Sequence, residues 1–104
     1  MRSIIMIGGK EIPIDYSADT PRRYREEFGS DLIIDMQRMR KDFDTGILEN
    51  LAYTMARAAD PEMELSIHEW LAQFDSVTAI YAAGPKILEA WTKNVRTSSE
   101  SKKK

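Results

Sequence analysis

No cysteine occurs among the 104 residues, and histidine occurs once. The first absence removes disulfides, thiolate zinc sites and thiol nucleophiles, and it fits a reducing compartment. The second leaves no histidine pair for a metal centre. No apolar run approaches the ~20 residues of a membrane span. The N-terminus, MRSIIMIGGK, has too short an apolar stretch for a signal peptide and lacks a small-residue cleavage site. Net charge is small as well. At −2 there is no bulk field to draw nucleic acid or an anionic membrane.

What is present is ordinary for a globular domain: 42% hydrophobic and 31% charged residues. The length favours one domain with one core and no roomy cavity. The apolar pattern places that domain at 1–95. The remainder, 96–104, is polar, lacks apolar anchors, and reads as a disordered tail.

Residues 3–7 form a short apolar run of strand type, followed by Gly8-Gly9. A two-residue glycine loop suits a primed hairpin turn, which needs positive φ. Residues 11–16 then alternate polar and apolar, as a half-buried strand does. With Ile7 opposite Lys10, Ile5 falls opposite Ile12, so Ile5, Ile7, Ile12 and Ile14 share a face. Pro13 cannot donate to a ladder, which makes its amide side an edge. A lone hairpin is marginal in water, so this one must rest on helices.

Thr20-Pro21 reads as a cap and first helical residue, and Gly29 as the stop of a helix over about 20–28. Ser30 is placed to cap a second helix with Leu32, Met36, Met39 and Phe43 on one stripe, widened by Ile33. A third helix, 47–59, turns Leu48, Leu51, Ala52, Met55 and Ala59 to one side. Ser66 and Glu69 make a capping box for a short fourth helix bearing Ile67, Trp70, Leu71 and Phe74. In the last helix Val77, Ile80, Tyr81, Gly84, Ile87, Leu88, Trp91 and Val95 hold one stripe across Gly84-Pro85. Proline there removes a backbone bond and clashes with the preceding turn. Either one kinked helix or two helices meeting at the break follows. The fold class is therefore α+β, predominantly helical, with an N-terminal β-hairpin and about five helices. Trp70, Phe74 and Trp91 are expected buried between the last two helices and the hairpin.

Candidate chemistry is thin. Asp44-Thr45-Gly46 matches the aspartic-protease triplet, but that chemistry needs the aspartate on a loop between strands. Here it lies between two helical patterns and reads as a helix stop and a cap. Asp42 and Asp44 begin a calcium-type loop that lacks its third ligand and its distal Glu. His68-Glu69 opens like a zinc-protease helix, with no second histidine to follow. Gly8-Gly9-Lys10 lacks the rest of a phosphate loop. No catalytic residue, metal ligand or cofactor site is expected. The partner-binding candidates are Ile4 and Met6, on the hairpin face opposite the main isoleucines, and Arg22, Arg23 and Tyr24 on the first helix. For Ile4 and Met6, a partner and a second covering helix are equal explanations. For the arginines, Glu26 and Glu27 blunt the field, so nucleic acid is not expected.

Several stretches together carry a family likeness. They are Ile7-Gly8-Gly9-Lys10, Tyr24-Arg25-Glu26-Glu27-Phe28-Gly29 with Asp31-Leu32, the run Leu48-Glu49-Asn50-Leu51-Ala52-Tyr53 with Met55-Ala56, and Trp70-Leu71 with Phe74. In this order and spacing the chain resembles the small tail assembly chaperones of long-tailed bacteriophages, of the type common in Gram-positive hosts. The likeness runs from Ile4 to Trp91. Gly8-Gly9 stands where Asn-Gly is more usual, and Gly84-Pro85 departs from the pattern.

The resemblance implies a non-enzymatic protein that binds the tape-measure protein and keeps it soluble for tail-tube assembly. It implies action in the host bacterial cytoplasm and absence from the mature virion. It also implies a longer product, made by ribosomal frameshifting, that recruits the tail-tube protein. Lys102-Lys103-Lys104 would be encoded by an adenine-rich stretch on which ribosomes slip, and is the expected place for that shift. A homo-oligomer stays open. The rival readings are a generic protein-interaction or regulatory subunit associated with nucleic acid through the arginine helix, and a small aspartic protease through Asp44.

Overall fold

The computed structural model describes residues 2–42 and 44–103, with side chains to residue 93. Met1, Phe43 and Lys104 lie outside the described residues, as do the side chains of Val95 and of the tail expected loose at 96–104. An antiparallel hairpin, β1 (Arg2–Ile7) and β2 (Lys10–Asp15), precedes five helices. These are α1 (Thr20–Phe28), α2 (Leu32–Asp42), α3 (Thr45–Ala59), α4 (Ile67–Ala72) and α5 (Ala79–Lys103). The fold is α+β and predominantly helical.

The hairpin has the register that its alternation dictates. Ile7 pairs with Lys10, Ile5 with Ile12 and Ile4 with Pro13. Gly8 and Gly9 both take positive φ, at 57° and 80°, the combination that a type I′ turn requires. Gly8 also has Phe74 and Ala79 within 3.4 Å of where a Cβ would sit. A side chain there would be strained by the backbone, while its Cβ would make ordinary contact with Phe74 and Ala79. Ile5, Ile7, Ile12 and Ile14 are all buried. β2 rests on α3 and β1 on α5.

α3 is the centre. It contacts β2 and each of the other four helices. Residues Leu51 to Ala56 are buried without a break, so every side of the helix is covered over that stretch. The apolar spacing marks only one of those sides. The others carry Tyr53 and Thr54, whose hydroxyls are satisfied at Leu65 O (2.6 Å) and Asn50 O (2.8 Å). Polar atoms with such partners can be buried at small cost. Rings link the layers: Tyr24–Phe28 at 5.1 Å between centroids, Phe28–Tyr53 at 6.3 Å, Tyr53–Trp70 at 5.8 Å and Trp70–Phe74 at 5.2 Å. This ladder ties α1 through α3 to α4. Trp70, Phe74 and Trp91 are buried, as expected.

Several local expectations change. Thr20 is not the cap of α1; Asp19 holds that position, and the buried Thr20 Oγ1 accepts from Ser17 N at 2.9 Å. Ser30 does not cap α2; it donates to Asp35, while Asp31 Oδ1 accepts from Ile34 N at 3.1 Å. Backbone donors at Ile34 and Ile33 hold the Asp31 carboxyl below its usual range. Ile33 does not widen a buried stripe, because it is exposed along with Ile34. α5 runs unbroken through Pro85, with its helical backbone continuing to Lys103. It begins after Val77, and its buried face is Ile80, Ala83, Gly84, Ile87, Ala90 and Trp91, so Val77 and Tyr81 lie outside the stripe. Gly84 has a packing reason. A Cβ there would stand 3.1 Å from Leu48 Cδ2, so glycine lets α5 approach α3 closely. The capping box of α4 is present, with Glu69 N–H donating to Ser66 Oγ at 3.2 Å and Ser66 N–H to Glu69 Oε1 at 2.8 Å.

Trp70 is sealed against Tyr53 and Phe74. Trp70→Ala should lower unfolding free energy by about 3–5 kcal/mol, measured by urea denaturation. A loss below about 1 kcal/mol would show that the ring contributes little to the core.

Candidate interaction site

Strand alternation sends Ile4, Met6, Glu11 and Pro13 to the hairpin face turned away from α3. Ile4 is 61% exposed and Met6 53%. No helix of the described residues covers them, which removes the second explanation offered for these two residues. Next to Met6 lies a shallow groove. One wall is Met6 with the Gly8-Gly9 turn, and the other is the face of α5 bearing Ala79, Ala82, Ala83 and Lys86. The groove and the open face meet at Met6. Together they form one continuous surface on the hairpin side of the molecule.

The first helix behaves differently. Arg22 lies 3.6 Å from Glu26, Arg23 2.9 Å from Asp19 and Arg25 3.2 Å from Asp31. Each arginine thus has a carboxylate at hand, and the local field cancels. All three pairs are exposed to solvent, where such pairs are weak. Arg57 and Glu27 pair at 2.6 Å across the cleft between α1 and α3, with Arg23 on its rim.

Tyr24 is not a surface residue. Its side chain is fully buried, and its hydroxyl donates to Asp35 Oδ2 at 2.8 Å. Ser30 Oγ donates to Asp35 Oδ1 at 2.9 Å. Asp35 is thus a buried carboxylate with a donor on each oxygen, and it fastens α1 to α2. The sequence signal for it was an acid on the same side of α2 as Leu32, Met36 and Met39. Burial pushes the Tyr24 phenol well above its ordinary range, and the hydrogen bond to Asp35 and its negative charge add to the shift.

The remaining motifs are structural. Asp44 caps α3, its side chain accepting from Gly46 N at 2.9 Å. It lies on no strand, so the strand-borne loop that aspartic-protease chemistry requires is missing at this triplet. His68 is exposed in the first turn of α4. Among the described residues, no three His, Asp or Glu side chains converge as metal ligands. No described helix is long and apolar enough to cross a membrane. No protein-family model matches the chain, and neither curated proteins nor solved structures show a significant match. Ala82, Ala83 and Lys86 were not singled out by sequence reasoning. Their spacing marks a helix face, but only the hairpin beside it makes that face a wall.

Tyr24→Phe should cost about 1–3 kcal/mol, because it leaves a buried carboxylate oxygen without its donor. The raised phenol value has a definite sign. Tyr24 contributes stability that is intact below its unfolded value of about 10 and is lost as pH rises through the higher folded value. Urea midpoints across an alkaline series should fall less steeply in Tyr24→Phe than in the wild type. Parallel slopes would show that Tyr24 ionises equally in both states.

Proposed function

We propose that the protein is a non-enzymatic assembly chaperone of a long-tailed phage. In this reading it binds the tape-measure protein in the host cytoplasm and keeps it soluble until tube subunits polymerise, and it is left out of the finished virion. The observation that carries the reading is the open apolar face at Ile4 and Met6, continuous with the α5 groove. The family resemblance of the sequence supplies the identity of the partner.

Energetics support transient holding. Full burial of Ile4 and Met6 contributes about 1.5–3 kcal/mol each. Association costs several kcal/mol in lost freedom, so a patch of this size alone gives weak, replaceable contacts. A chaperone that must yield to tube subunits needs such contacts. Many copies along one long polypeptide would compensate through multivalency. The longer frameshifted form, if made, would bring tail-tube protein to the same chain.

Co-expression with the tape-measure protein tests this. Soluble yield of that protein should rise, and a complex should elute on sizing without nucleotide, metal or cofactor. Ile4→Lys combined with Met6→Lys should abolish the complex and leave the fold intact, since both positions are exposed. If the tape-measure protein stays insoluble and no complex elutes, the chaperone reading fails and a generic interaction module remains.

A further inference from the structure

The two edges of the hairpin are not equivalent. A two-residue turn makes its flanking residues, Ile7 and Lys10, a hydrogen-bonded pair, and pair types alternate from there. Ile5–Ile12 and Ser3–Ile14 are therefore hydrogen-bonded pairs. Met6–Glu11, Ile4–Pro13 and Arg2–Asp15 are not. Residues of the second set turn their backbone N–H and C=O groups outward, away from the partner strand. On β2 that outward set contains Pro13, which has no N–H, so the edge is interrupted at its middle. On β1 the set includes Ile4 and Met6, each with a donor and an acceptor. Among the described residues, no backbone bond outside the hairpin ladder involves either of them.

The intact edge is also the one beside the groove. Met6 is shared by both, and across from it stand Ala79, Ala82 and Ala83, small enough to admit a backbone. Lys86 is the only charged residue on the groove wall among the described residues; its Nζ is 3.9 Å from Glu89, and its side chain is 69% exposed.

We propose that β1 accepts an extended peptide of another protein as a third strand, laid between the β1 edge and α5. Ile4 and Met6 supply main-chain hydrogen bonds. Inward side chains of the peptide are small and apolar, to fit against Ala82 and Ala83. A carboxylate on the peptide pairs with Lys86. This is strand addition, in which backbone bonds give affinity and alternate side chains give selectivity. It holds whichever protein supplies the strand, and so stands or falls separately from the tape-measure reading.

The test is NMR of the labelled full chain titrated with a capped hexapeptide alternating valine and glutamate. A second titration uses the same peptide with lysine in place of glutamate. The amide signals of Ile4 and Met6 should shift saturably, and their exchange with solvent should slow. The lysine peptide should bind about two- to fivefold more weakly, the effect of one exposed ion pair, and Lys86→Glu should reverse that order. Met6→Pro removes an outward N–H and no ladder bond, so it should abolish binding while the Ile5 and Ile7 amides stay protected. Ile4→Pro serves the same purpose if Met6→Pro does not fold. Three results would overturn the proposal. One is no saturable shift at Ile4 and Met6 with either peptide. Another is unchanged affinity in a folded proline variant. The third is a dimer of the free protein that dissociates in Met6→Pro, which would assign the edge to a second copy.

Discussion

Everything in this molecule is arranged around the need to cover α3. Six consecutive buried residues, Leu51 to Ala56, leave the middle of that helix no side facing water. A helix of that kind has to be enclosed by several elements at once. The hairpin lies on it through β2, α1 and α2 flank it, and α4 and α5 close the remaining sides. This engages the hairpin and all five described helices. Among the described residues, no element lies on the outer face of the hairpin at Ile4 and Met6.

The same arrangement explains which parts of the fold were legible in the sequence. The hairpin register, the Gly29 stop and the Ser66–Glu69 capping box are local, and local rules predict them. The other faces of α3 were not legible. Tyr53 and Thr54 look like solvent-side residues, and their burial depends on acceptors at Leu65 and Asn50. Tyr24 misled in a related way. Placed between arginines it suggested a basic-aromatic surface, yet the arginines face carboxylates and the ring turns inward to Asp35. Helical geometry separates neighbours in sequence onto different faces, so a run of interesting residues need not be one site. Gly84-Pro85 raised the opposite difficulty. A pair that normally breaks a helix lies inside one here, and its glycine sits at the crossing with α3, where a Cβ would press on Leu48 Cδ2.

Of the partner-binding candidates, Ile4 and Met6 are on the surface together, Arg22 and Arg23 are exposed but ion-paired, and Tyr24 is in the core. The surface at Ile4 and Met6 is backed by the buried isoleucines on the other face of the same hairpin. Such a surface suits contacts that form and are replaced without refolding. Strand addition would give those contacts direction, because main-chain bonds fix register while few side chains are buried.

The central claim is that binding occurs at the hairpin side of a core that does not itself rearrange. Hydrogen exchange measured by mass spectrometry on the co-purified complex, against the free protein, tests it most directly. The account predicts added protection confined to residues 2–9 and 79–86, with α3 equally protected in both samples. Protection gained along α1, with residues 2–9 unchanged, would contradict it.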